Sequence, residues 1–339
     1  MIDLGGCEIS VEEREWLAHP AVGGVILFTR NYIDRIQLAS LVDELHAIKK
    51  PRLLIAIDQE GGRVQRLRKE FTEYPPMRML GQVYDEDPPK ALRLSEHMAW
   101  CLANELRSVG IDFTFAPVLD LDSGVSEVIG DRAFHNNVDA VTALASKFVL
   151  GLRKGGMEAV GKHFPGHGSV SEDSHVACPV DHRYENDLWL SDIVPFQRLV
   201  EHGIAGIMSA HVVYDHVDKF PASFSDFWLT RVLREQLGFQ GAIFSDDLTM
   251  QGAKAIGDIS YRVKTALHAG SDMVLICNSP EDVPDAIEML DDYNNPSSQL
   301  RLARYHGKCP QVIESAEINT VRKFVDDYQT NKSFSLNLD

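Results

Sequence analysis

The 339-residue chain has no cysteine pair at C-x-x-C spacing and no surplus of positive charge. Its five cysteines, Cys7, Cys101, Cys178, Cys277 and Cys309, are scattered and odd in number, which suits a reducing cytosol better than a disulfide framework. With 33 Lys and Arg against 50 Asp and Glu, the formal net charge is -17, which argues against nucleic acid or an anionic membrane as partner. No apolar run reaches membrane-spanning length, and the opening MIDLGGCEISVEEREW has neither the basic nor the apolar region of a signal peptide. A cytoplasmic location is the expectation. Three catalytic signatures are missing as well. There is no G-x-G-x-x-G for a dinucleotide, no G-x-S-x-G for a serine nucleophile and no H-x-H of the kind metal-dependent barrel hydrolases carry. In HFPGH two histidines stand four apart, but Pro165 and Gly166 prevent a helix from presenting them together. Neither a cofactor nor a metal is expected.

What is present is alternation. Short apolar runs at 22–28, 52–58, 111–120, 158–164, 205–212, 241–247 and 272–278 are separated by amphipathic helical stretches, and MIDLGG offers one more strand at the start. Runs without polar alternation read as parallel strands covered on both faces. Eight of them fit a single (β/α)8 TIM barrel over residues 1–339, with a helix and polar tail from about 311; a doubly wound open sheet is the structural rival. Charged groups gather where the runs end: Asp58, Asp120, Lys162, His163, His211, Asp246 and Asp247. That end of a TIM barrel is where active sites lie. Singly, each is more simply a helix cap, a turn residue or a surface charge, and Asp122 and Asp247 suit helix caps. Together on one rim they suit chemistry.

The available chemistry is carboxylate plus imidazole. Glycoside cleavage needs one group to attack the anomeric carbon and another to protonate the leaving oxygen. Asp246 is a strand-end carboxylate. Asp173 and His175 form a carboxylate–imidazole pair on the glycine-rich stretch GKHFPGHGSVSEDSH, able to give and take a proton near neutral pH.

KHFPGHGSVSEDSH, IAIDQEGGRVQRLR, FAPVLDLDSG, IGDRAFH, MSAHVVY and GFQGAIFSDDLTM resemble the glycoside hydrolase family 3 β-N-acetylglucosaminidases, and more closely the short cytoplasmic enzymes of Gram-negative peptidoglycan recycling. The resemblance runs to about residue 310 and keeps motif order. It implies a TIM barrel and a retaining hydrolase that removes non-reducing β-1,4-linked GlcNAc from anhydro-muropeptides. It implies Asp246 as nucleophile, His175 as acid/base and Asp173 as its partner, with Asp58, Arg66, Arg132, Lys162 and His163 holding the sugar. Relatives with a second domain draw the acid/base from it; here the barrel's own 161–175 loop is expected to supply it, with His167 packing that loop. No nucleic acid, membrane or obligate protein partner is implied. The first strand is expected to be short. A β-N-acetylglucosaminide phosphorylase and a non-catalytic sugar-binding barrel are the alternatives.

Overall fold

The computed structural model describes residues 1–170 and 178–335. Seven barrel strands are β1 (Gly24–Leu27), β2 (Leu54–Ile57), β3 (Phe113–Thr114), β4 (Val160–Phe164), β5 (Gly206–Ser209), β6 (Ala242–Asp247) and β7 (Met273–Leu275). They pair in parallel as two runs, β1–β2–β3 and β4–β5–β6–β7. Three single bridges join the runs into a ring. Ile2 pairs with both Val25 and Ile276, and Val118 pairs with Lys162. The predicted first strand is thus present as one bridging residue, and the barrel is closed rather than open.

Side chains alternate between two apolar layers. Ile26, Leu54, Ala56, Phe113, Met208 and Phe244 point into the barrel. Val25, Leu27, Ile55, Ile57 and Ile243 point outward into the layer beneath the helices. Both faces being buried is the reason these runs show no polar alternation. Tyr305 reaches the interior from the chain after β7. Its ring meets Phe113 at 4.7 Å and Phe244 at 5.3 Å, and its hydroxyl donates to Ala159 O at 3.1 Å. This ring floors the barrel at the amino-terminal end of the strands.

Two buried carboxylates tie that same segment down. Asp112 accepts from Ile55 N (3.0 Å), Arg52 Nη2 (2.8 Å) and Gly307 N (2.9 Å). Asp272 accepts from Ile243 N (2.8 Å), Ser298 Oγ (2.6 Å) and Arg301 Nη1 (2.8 Å). The last helix, Ser315–Ser335, buries Val321 and Val325 and pairs Glu317 with His97 of the helix Pro88–Arg107 at 3.1 Å. Among the described residues no helix is long and apolar enough to cross a membrane.

Candidate active site

At the carboxyl ends of the strands lies a cavity of about 180 Å³, walled by Asp58, Glu60, Arg66, Arg132, Lys162, His163, His167 and Asp246. Six of these eight residues come from two segments, the end of β2 with the hairpin after it and the end of β4 with the loop behind it.

The hairpin pairs Gln59–Gly61 with Val64–Gln65. Gln59 holds it closed: its side-chain oxygen accepts from Arg66 N (2.9 Å) and Leu67 N (3.0 Å), and its amide donates to Leu67 O (2.9 Å). Extended backbone then places Asp58 and Glu60, two residues apart, on the opposite face together. Lys162 Nζ reaches both, at 2.9 Å to Asp58 and 2.5 Å to Glu60. Arg132 grips Glu60 with two bonds of 2.9 Å, and Arg66 pairs with Asp58 at 3.2 Å. Burial opposes ionisation of both acids. For Asp58, Lys162 and then Arg66 outweigh it and hold the carboxyl well below its usual range. For Glu60, Arg132 and then Lys162 hold the carboxyl at about 2. Burial lowers the Lys162 ammonium, yet Asp58 and Glu60 together raise it above its ordinary value. The network is therefore fully ionised near neutral pH. It still has capacity for a ligand: a carboxylate offers about four lone-pair sites and an ammonium three donors.

His163 is set by Asp120, the acid that ends the β3 run. Its Nδ1 lies 2.7 Å from Asp120 Oδ2, and Asp120 also accepts from His167 N at 2.7 Å. An ionised carboxylate can only accept, so Nδ1 carries a proton, and in the neutral ring Nε2 is then the acceptor. Burial raises the Asp120 carboxyl, but His163 and the bonds it receives bring it below its ordinary value. His167 lines the cavity with its ring 6.0 Å from that of His163.

Asp246 sits in a β-bulge. Along β6 the paired positions are Phe244 and Asp247, three residues apart; along β7 they are Met273 and Leu275, two apart. The extra residue on β6 re-aims the chain there, as bulges beside active sites do. Asp246 Oδ1 accepts from Asp247 N at 2.8 Å. The Asp247 carboxylate is occupied by Thr249 N (3.0 Å), Thr249 Oγ1 (2.7 Å) and Cys277 N (3.1 Å). Burial, with Asp246 adjacent, carries Asp247 up to about 6 against those three bonds. Asp247 caps a turn, not a helix, since the next helix begins only at Gln251. Asp122 likewise bonds Gly124 N at 3.1 Å within a turn.

Of the predicted site residues, Asp58, Arg66, Arg132, Lys162, His163 and Asp246 share this one cavity. Asp173 and His175 lie outside the described residues. Glu60 is not singled out in the sequence, and Asp120 is among its strand-end charges but has no assigned role there. The two-residue spacing from Asp58 is a signal for the first, and the strand-end position is a signal for the second.

The model of the glycosyl hydrolase family 3 N-terminal domain matches residues 1–304. A β-hexosaminidase of Thioalkalivibrio sulfidiphilus is 54% identical over 308 residues, covering 91% of this chain and 88% of that protein. One from Methylobacillus flagellatus is 52% identical over 307 residues, again covering 91% and 88%. NagZ from Neisseria gonorrhoeae, solved in complex with N-trifluoroacetyl-D-glucosamine, superposes with a TM-score of 0.90 at 41% identity, covering 96% of each chain. A closed barrel, a charged cavity at its carboxyl end and these likenesses agree: the chain belongs to glycosyl hydrolase family 3, as a β-hexosaminidase.

Proposed function

We propose that the chain removes non-reducing terminal β-1,4-linked GlcNAc from anhydro-muropeptides, in cytoplasmic peptidoglycan recycling, by double displacement with retention. The observation that carries this reading is that Asp246, at the bulge of β6, lines the same cavity as Asp58, Lys162 and His163. Asp58 and the His163 Nε2 accept from sugar hydroxyls, and Lys162, Arg66 and Arg132 donate to them. Asp246 attacks the anomeric carbon while the bond to the leaving oxygen breaks, and His175, partnered by Asp173, delivers its proton there. Water then attacks the glycosyl-Asp246 ester, giving its proton back to His175. The family resemblance supports the His175 role, and the glucosamine analogue bound by the Neisseria protein supports a GlcNAc-type sugar.

The occupied Asp247 carboxylate supports a covalent route over one through an oxazoline. A substrate-assisted mechanism needs a carboxylate free to orient the acetamido group, and Asp247 already receives three donors. A slow fluorinated GlcNAc substrate should add its sugar to the peptide spanning 241–250, on Asp246, and Asp246→Asn should abolish labelling. A kinetically competent oxazoline with no adduct would overturn this reading. Turnover of GlcNAc-anhydroMurNAc should exceed that of chitobiose, and adding phosphate should leave free GlcNAc as the product. Formation of a sugar phosphate would instead mark a phosphorylase.

A further inference from the structure

The β5–β6 ladder ends at the Ser209–Ser245 pair. Beyond it β5 no longer pairs with β6. Ala210 N keeps to the β4 side, donating to Phe164 O at 2.8 Å, and Ala210 O accepts from Ser223 N at 3.1 Å. β6 continues for two more residues, Asp246 and Asp247. A side chain takes over at this point. His211 Nε2 lies 2.9 Å from Asp247 O. A carbonyl only accepts, so Nε2 carries the proton. The ring is fully buried and stacked on Phe224, with centroids 5.4 Å apart and planes 14° from parallel. Its Nδ1 has no partner among the described residues. A protonated ring would bury a second donor with no acceptor, so the imidazole is a neutral, single donor.

This bond acts on the cavity through one residue. Asp247 is held at its carbonyl by His211 on the β5 side and by Met250 N (3.1 Å) in the turn that follows, at its carboxylate by Thr249 and Cys277, and its N–H points at Asp246 Oδ1. We infer that His211 is a positioning residue for Asp246: it replaces the ladder bond that β5 no longer supplies, and so fixes the bulge that aims the carboxylate. The inference rests on Asp246 being the nucleophile.

Two pairs of variants test it. His211→Phe keeps a flat ring on Phe224 and removes the donor. His211→Gln returns an amide N–H near the Nε2 position, whereas the shorter His211→Asn cannot reach that far. His211→Phe and His211→Asn should slow labelling of Asp246 by the fluorinated substrate, and lower kcat/KM, by about 10- to 100-fold, the scale of a misplaced reacting group. The dissociation constant for GlcNAc should change by less than about threefold, because sugar held by Asp58, Lys162 and His163 does not depend on the bulge. His211→Gln should recover most of the labelling rate. Wild-type labelling rates in His211→Phe and His211→Asn would overturn the inference. So would equal losses in the Gln and Asn variants with GlcNAc affinity falling in step, which would mark a packing residue. Wild-type turnover without any label on Asp246 would overturn the nucleophile assignment, and the positioning role with it.

Discussion

Glu60 has almost no exposed surface, yet it carries a charge balanced by Arg132 and Lys162. Its folded carboxyl lies at about 2 against an ordinary 4.5. A depressed carboxyl contributes stability that is complete above the ordinary value and is lost as pH falls toward the folded one. The window is therefore about pH 5 down to pH 2, and the loss is on the order of 3 kcal/mol for a shift of this size. Glu60→Gln should flatten that part of the acid-unfolding profile followed by circular dichroism. It should also destabilise the protein at neutral pH by about 3–5 kcal/mol, because two buried cations lose a partner. An acid profile unchanged by the substitution would refute the coupling. Asp58→Ala should reduce kcat/KM by at least about 100-fold with the fold retained by circular dichroism, because its carboxylate faces the cavity. A fall in melting temperature with activity intact would make Asp58 structural. Sequence made Asp58, Lys162 and His163 legible because strand-end charge in a barrel has few other uses. Glu60 stood out less because DQEGGR reads first as a turn, and its pairing with Arg132 spans 72 residues.

The stretch that opens the loop after β4 is held by what surrounds it. Asp120 accepts from His167 N, Tyr214 Oη donates to Gly166 O at 2.5 Å, and a Cβ on Gly168 would lie 1.9 Å from Leu121 O. Backbone cannot yield to a methyl group at that distance, so Gly168→Ala must shift the chain leading to 171–177. The expected cost is about 1–3 kcal/mol of stability. Activity should fall more for substrates with poor leaving groups than for activated aryl glycosides, if the group that protonates the leaving oxygen is the one displaced. Equal losses on both would place the damage elsewhere. At this scale, the strands were readable because burial on both faces leaves uninterrupted apolar runs. The bulge at Asp246 was not readable, because GAIFSDD looks regular and the extra residue exists only relative to the pairing of β7. The turn after it was misread as a helix cap because Asp serves both structures with the same short carboxylate.

Over the whole molecule, the cavity rests on the packed interior that Tyr305 completes. Tyr305→Ala would empty the space beside Phe113 and Phe244 and should cost about 3–5 kcal/mol, while the folded fraction keeps its kcat because no group of the cavity wall is touched. A large loss of kcat at full folding would show that the floor also shapes the site. The single bridge at Ile2 has a different kind of consequence, one of time. Ile2 pairs with Val25 early in the chain and with Ile276 near its far end, so that seam cannot form until β7 has been made. Before then, β1 and β6 each expose an unpaired parallel edge. Such edges recruit other strands, and contacts this distant in sequence form slowly. Chains stalled before Met273 should therefore associate with one another rather than wait as soluble intermediates.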